Sequence, residues 1–178
     1  YDVYAGGIHA VQAKLEVGYQ KNDRYDLRID AQTIGFLKKL APWSGTFETI
    51  GKRQQNGGRP EIHRSTALWR DENEMKEYSY DAQGSLRAVR VIEEGQDKPQ
   101  EVLDPALVKD TTDILSATLA VMESVAQGGE CQGAADIYDG ARRFELAFRH
   151  ADREEMKATD YNVYSGPAVR CEVEVTPE

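Results

Sequence analysis

From Val11 onward apolar and polar residues alternate one by one. Val11, Ala13, Leu15, Val17 and Tyr19 take one side of a period-two pattern, and Gln12, Lys14, Glu16 and Gln20 take the other. Successive side chains of a strand point to opposite faces, so this segment has one face for a core and one for water. A helix with the same pattern would scatter its apolar residues around its circumference, and the alternation therefore predicts a half-solvated antiparallel strand. After the polar turn Lys21-Asn22-Asp23-Arg24 the pattern resumes, with Tyr25, Leu27, Ile29 and Ala31 opposed to Asp26, Arg28, Asp30 and Gln32. The two runs read as a hairpin. Thr46 to Lys52, Ile62 to Trp69, Lys76 to Tyr80 and Leu86 to Ile92 repeat the pattern. They are separated by the turn-like stretches Asn56-Gly57-Gly58, Asp71-Glu72-Asn73-Glu74 and Asp81-Ala82-Gln83-Gly84. Six or more short strands in a row imply one large, mostly antiparallel sheet.

Two segments break the pattern. Ile34, Leu37 and Leu40 fall at i, i+3 and i+6 with Phe36 beside them, ahead of Pro42 and Trp43, which reads as a short helical turn. The second break predicts a full helix. Thr111 or Thr112 can cap it, and Asp113 suits the positive end of its dipole. Ile114, Leu115, Thr118, Leu119, Met122 and Val125 form an apolar stripe opposite Asp113, Ser116, Glu123 and Gln127, and Gly128-Gly129 ends it. Such a helix cannot bury its stripe alone and must pack on a sheet face.

Beyond the helix, Ala134 to Tyr138 and Arg142 to Arg149 flank Asp139-Gly140, a dipeptide suited to a type I′ hairpin turn. Tyr161 to Tyr164, the turn Ser165-Gly166-Pro167 and Ala168 to Val175 supply closing strands. The two cysteines fall in this region. Cys131 precedes the hairpin and Cys171 lies in the last strand, where adjacent antiparallel segments can bring two thiols within bonding reach. Two unrelated buried thiols is the alternative. A bridge would close a loop of about forty residues and contribute about 4 kcal/mol in the chain-entropy model. Neither cysteine has a Cys-x-x-Cys partner, and Glu130 and Glu172 flank them, which disfavours a redox-active thiolate.

A length of 178 residues fits one domain spanning 1–178. Acidic residues outnumber basic ones 31 to 22, for a formal charge of −9, and the basic residues are scattered, which argues against a nucleic-acid surface. No apolar stretch is long enough to cross a hydrocarbon layer of roughly 30 Å. The chain begins at Tyr1 rather than methionine, which fits a removed signal peptide and hence export.

The residues that could carry chemistry are few. His9, His63 and His150 lie far apart, none with a second metal ligand at the usual spacing, so no metal site is expected. Gly6-Gly7 precedes no helix, no nucleophile elbow or phosphate loop occurs, and no cofactor is expected. Among the carboxylates, two of Asp113, Asp136 and Asp139 could flank a glycosidic bond if they faced one cleft, but Asp139 reads as a turn residue, and no catalytic residue is assigned. Phe36, Leu37, Leu40, Trp43 and Trp69, with Leu119 and Met122 of the helix, remain as candidates to line a site for a hydrophobic ligand, unless they are simply core.

A wider pattern runs through these residues: Tyr4, Gly7-Ile8, Thr33-Ile34-Gly35, Pro42-Trp43-Ser44-Gly45, Gly51, Pro60, Asp113-Ile114-Leu115-Ser116, Cys131, Tyr138-Asp139-Gly140, Arg142-Arg143, Tyr164-Ser165-Gly166 and Cys171. In order and spacing it resembles the bacterial exported family known as domain of unknown function 3108. That resemblance implies an α+β, mainly β architecture similar to the lipoprotein carriers LolA and LolB. In it a large curved antiparallel sheet forms an incomplete barrel against one main helix and a short helical turn. It also implies a periplasmic protein of the Gram-negative envelope in which Cys131 and Cys171 pair. The expected function is then non-enzymatic: binding a lipid, a lipoprotein or an envelope protein partner. A structural or assembly module recognising its partner through an edge strand is the alternative.

Overall fold

The computed structural model describes residues 2–5, 8–54, 57–99, 102–158 and 164–178. The alternating segments form β1 (Asp2–Ala5), β2 (Ile8–Tyr19), β3 (Arg24–Thr33), β4 (Trp43–Gln54), β5 (Gly57–Trp69), β6 (Glu72–Tyr80), β7 (Leu86–Glu93) and β8 (Gln96–Asp97). Each pairs antiparallel with the next, giving an eight-stranded meander in sequence order that is not closed into a barrel. The short helical turn is α1 (Gly35–Leu40), between β3 and β4. Then come α2 (Pro105–Val108), which the sequence pattern did not suggest, and the main helix α3 (Ile114–Ala126). The strands β9 (Gly133–Tyr138), β10 (Arg143–Met156) and β11 (Gly166–Pro177) form a second sheet in the order β11-β10-β9. The reading of Tyr161 to Val163 as strand, Gly6-Gly7 and Asn56 of the expected turn lie outside the described residues.

α3 lies between the two sheets. Leu115 and Leu119 pack on Tyr25 and Leu27 of β3, with Ile29 and Phe47 around them. Ala117 and Val121 pack on Ile137, Leu146 and Phe148 of the second sheet and on Cys131. Being covered on two sides changes which residues are inside. Ile114 and Met122, expected in the stripe, are exposed, whereas Asp113 and Ser116, expected on the polar face, are buried. The cap is Asp113 rather than a threonine, its Oδ1 accepting from the N–H groups of Leu115 and Ser116. A third cluster joins Tyr78, Leu86 and Val89 to Leu103 and Val108 of the linker and to Tyr138.

Backbone space is tightest under α3. A Cβ on Gly51 would lie 2.2 Å from the Arg59 carbonyl oxygen and 2.6 Å from the Tyr25 hydroxyl, so only glycine lets Tyr25 reach beneath the helix. Two turns differ from expectation. β6 begins at Glu72, which confines its turn to Arg70-Asp71. In the β9–β10 hairpin Asp139 N–H donates to Arg142, and the central residues are Gly140 and Ala141, with only Gly140 at positive φ (+96°). That is the arrangement of a II′ turn rather than I′. Asp139 instead braces the loop, its Oδ1 accepting from Ala141 and Arg142 N–H.

Candidate functional site

At the N-terminus of α3 the cap widens into a buried polar cluster. The carboxylate of Asp113 accepts from Leu115 and Ser116 N–H at 3.0 Å each, and from the hydroxyls of Ser116 and Thr49 at 2.6 Å each. A hydroxyl has one proton to give. Ser116 therefore accepts from the Tyr25 hydroxyl at 2.8 Å, and Thr49 accepts from His63 Nδ1–H at 2.8 Å. His63 Nδ1 is 3.5 Å from Asp113 Oδ1. Every proton in the cluster thus runs toward one carboxylate, which ties β3, β4 and β5 to the start of α3. Burial pushes the phenol of Tyr25 well above its ordinary range. Burial lowers the pKa of His63, against the charge of Asp113 and a hydrogen bond with the Glu48 backbone. Serine nucleophiles need the base on their own hydroxyl. Here Ser116 points at Asp113 and His63 at Thr49, so the cluster is built as a clamp.

Beside this clamp runs a groove of about 460 Å³, within the range of roughly 300–1,000 Å³ common to ligand clefts. Its floor is Ser116, Ala120 and Ser124, small residues at i, i+4 and i+8 of α3. Gly57 and Gly58 line one wall and Gly133, Ala134 and Ala135 of β9 the other. β9 is an edge strand. Its side away from β10 meets the chain at Thr112, whose N–H donates to the Asp136 carbonyl at 2.8 Å. Residues two apart in a strand present their backbone groups to the same side. The N–H and C=O of Ala134 therefore face the groove as Asp136 C=O faces Thr112.

The apolar candidates separate. Leu119 belongs to the core, and Met122 lies exposed on α3. Phe36, Leu37 and Leu40 of α1, with Trp43 and its cross-strand partner Trp69, gather at the other end of the large sheet. Leu37 and Trp43 are half-buried there, while Phe36, Leu40 and Trp69 are exposed. The face under α3 is filled by Tyr25, Leu27, Leu115 and Leu119. The three carboxylates considered for glycan chemistry have structural partners: Asp113 in the clamp, Asp139 in its turn, and Asp136 in an ion pair with Arg143. Among the described residues no group of three His, Cys, Asp or Glu side chains could hold a metal ion, and no helix is long and apolar enough to cross a membrane.

Cys131 and Cys171 form a disulfide, Cα–Cα 5.7 Å. Cys131 is buried against Phe148, and Cys171 lies on β11 opposite His150, so the bond reaches over β10 from the helix exit to the sheet edge. Reading the sequence missed the clamp and the groove. The signals were present: Thr49 at a core-facing register, Ser116 three residues after Asp113, and the small-residue spacing 116, 120, 124.

Fold and site together define a mainly β protein of two antiparallel sheets, joined by a clamped helix and a disulfide, with a groove along a sheet edge. The chain belongs to the family described as Protein of unknown function (DUF3108), whose model matches residues 1–178. Searches of curated proteins and of solved structures each return no match to this chain.

Proposed function

We propose that the protein is a non-enzymatic, exported interaction module that takes an extended segment of an envelope protein partner onto the edge of β9. The observation that carries this reading is the groove itself: an edge strand whose Ala134 backbone groups face a trough floored by small side chains. Strand addition uses main-chain hydrogen bonds for affinity and flanking pockets for selection. The helix-covered face, where a LolA/LolB-like carrier would hold an acyl chain, is occupied by core side chains, which favours a polypeptide over a lipid. The disulfide supports an oxidising compartment, the periplasm in this reading.

The test uses the edge. Proline at an outward-facing edge position removes one donor without breaking the ladder inside. A photo-crosslinker at Gln132 in cells making the full chain is expected to trap one discrete protein adduct, lost on Ala134→Pro. An adduct that survives Ala134→Pro, or lipid crosslinked at Gln132 in place of protein, would sink the proposal.

A further inference from the structure

The end of the molecule that this partner reading leaves unused has its own chemistry. We propose that α1 and the adjoining end of β5 dock the protein on an anionic lipid bilayer. α1 has six residues, three of them apolar, and none is buried. Phe36 is 66% and Leu40 58% exposed, and their i, i+4 spacing puts them on one side of the helix. Arg70 N–H donates to the Pro42 carbonyl at 3.0 Å, which holds the β5–β6 turn against the chain leaving α1. Leu68, 43% exposed, then shares a shallow depression with Lys38 and Arg70, and no carboxylate lines it.

Charge selects the occupant. Arg28, Arg90 and Arg143 are each ion-paired, whereas among the described residues several cations elsewhere, such as Lys21 and Arg142, are not. Lys38, Lys39 and Arg70 have no ion pair among the described residues. A net charge of −9 repels an anionic surface from afar, but at physiological salt the Debye length is about 8 Å, so contact is governed by the local cations. Exposed Phe and Leu flanked by free cations match an interfacial anchor, in which apolar side chains enter the headgroup boundary and long basic ones remain in water. A purely apolar protein surface would leave those cations unused. The footprint excludes the other side of β5, where Trp69 faces Asp71, Glu72, Glu74, Glu93 and Glu94.

Co-sedimentation of the full chain with vesicles tests this. Binding is expected to vesicles of phosphatidylglycerol and phosphatidylethanolamine and not to phosphatidylcholine, and to fall steeply with salt. Each surface cation contributes roughly fivefold to such binding, so Lys38→Gln/Lys39→Gln should weaken it more than about tenfold. Phe36→Ser/Leu40→Ser should abolish it, while Val102→Ser, at an exposed apolar residue elsewhere, leaves it unchanged. Equal binding to both vesicle types, no binding to either, or undiminished binding by Phe36→Ser/Leu40→Ser would overturn the proposal. So would a concentration-dependent dimer dissolved by that double variant. None of these outcomes bears on strand addition at β9.

Discussion

His63 lies between two opposed pressures: burial disfavours its charged form, and Asp113 favours it. Burial prevails, so the folded protein holds the imidazole neutral below the ordinary value of 6.5 that represents the unfolded chain. In the window just below 6.5 the unfolded chain binds a proton that the folded one does not, so stability is complete above that value and falls as pH drops through it. Urea midpoints at about pH 7.5 and about pH 5.5 should therefore differ, lower in the more acid buffer, and His63→Gln should shrink the difference, His9 and His150 being common to both proteins. An equal pH difference in the two proteins would refute the assignment. The carboxylates held below their usual range by Arg partners, Asp30 and Asp97, act only in more acid solution. Asp113 shows how little of this a sequence exposes. It was legible as a residue suited to a helix start, but its burial depends on Thr49, 64 positions earlier, arriving opposite it.

β11 is a long strand with little packing behind it. It pairs with β10 alone, and from Arg170 to Glu178 its side chains are exposed. The disulfide supplies what packing does not, since Cys131 is anchored in the core on the far side of β10. For a separation of 40 residues the chain-entropy model assigns the bond about 4 kcal/mol, a large part of a typical domain stability. Cys131→Ala/Cys171→Ala should lower the unfolding free energy by about that amount and strip amide-exchange protection from β11 before β10. Unchanged protection in β11 would mean that the ladder alone suffices. The cysteine spacing made a bond admissible; the antiparallel register of His150 opposite Cys171 brought the second thiol to the helix exit.

At the scale of the molecule α3 is shared property. Leu115 and Leu119 serve the large sheet while Ala117 and Val121 serve the second one, so each sheet loses a core cluster if the helix leaves. Urea unfolding followed by Trp43 and Trp69 fluorescence, which reports the large sheet, should coincide with loss of amide protection at Leu146 and Phe148 in the second. Two separated transitions would show that the sheets fold as independent units.

What the sequence determined alone is β2 to β7, the β9–β10 hairpin, the run in β11 and the position of the main helix, because periods of 2 and 3.6 are local properties that each such segment carries, whereas β1 and β8 are too short to show one. Even there the alternation overstated the core: Val17 and Tyr19 lie on the apolar side of β2 yet are exposed, Tyr19 meeting α3 through a hydrogen bond from its hydroxyl to Glu123. The tertiary structure decided the division into two sheets, the rotation of α3 that buries Ser116 and exposes Met122, the II′ turn at Gly140-Ala141, and the groove beside β9. Each of these depends on which distant surface arrives opposite a residue, and hydrophobic burial rewards contact area without specifying its partner. Only the folded chain resolves that choice.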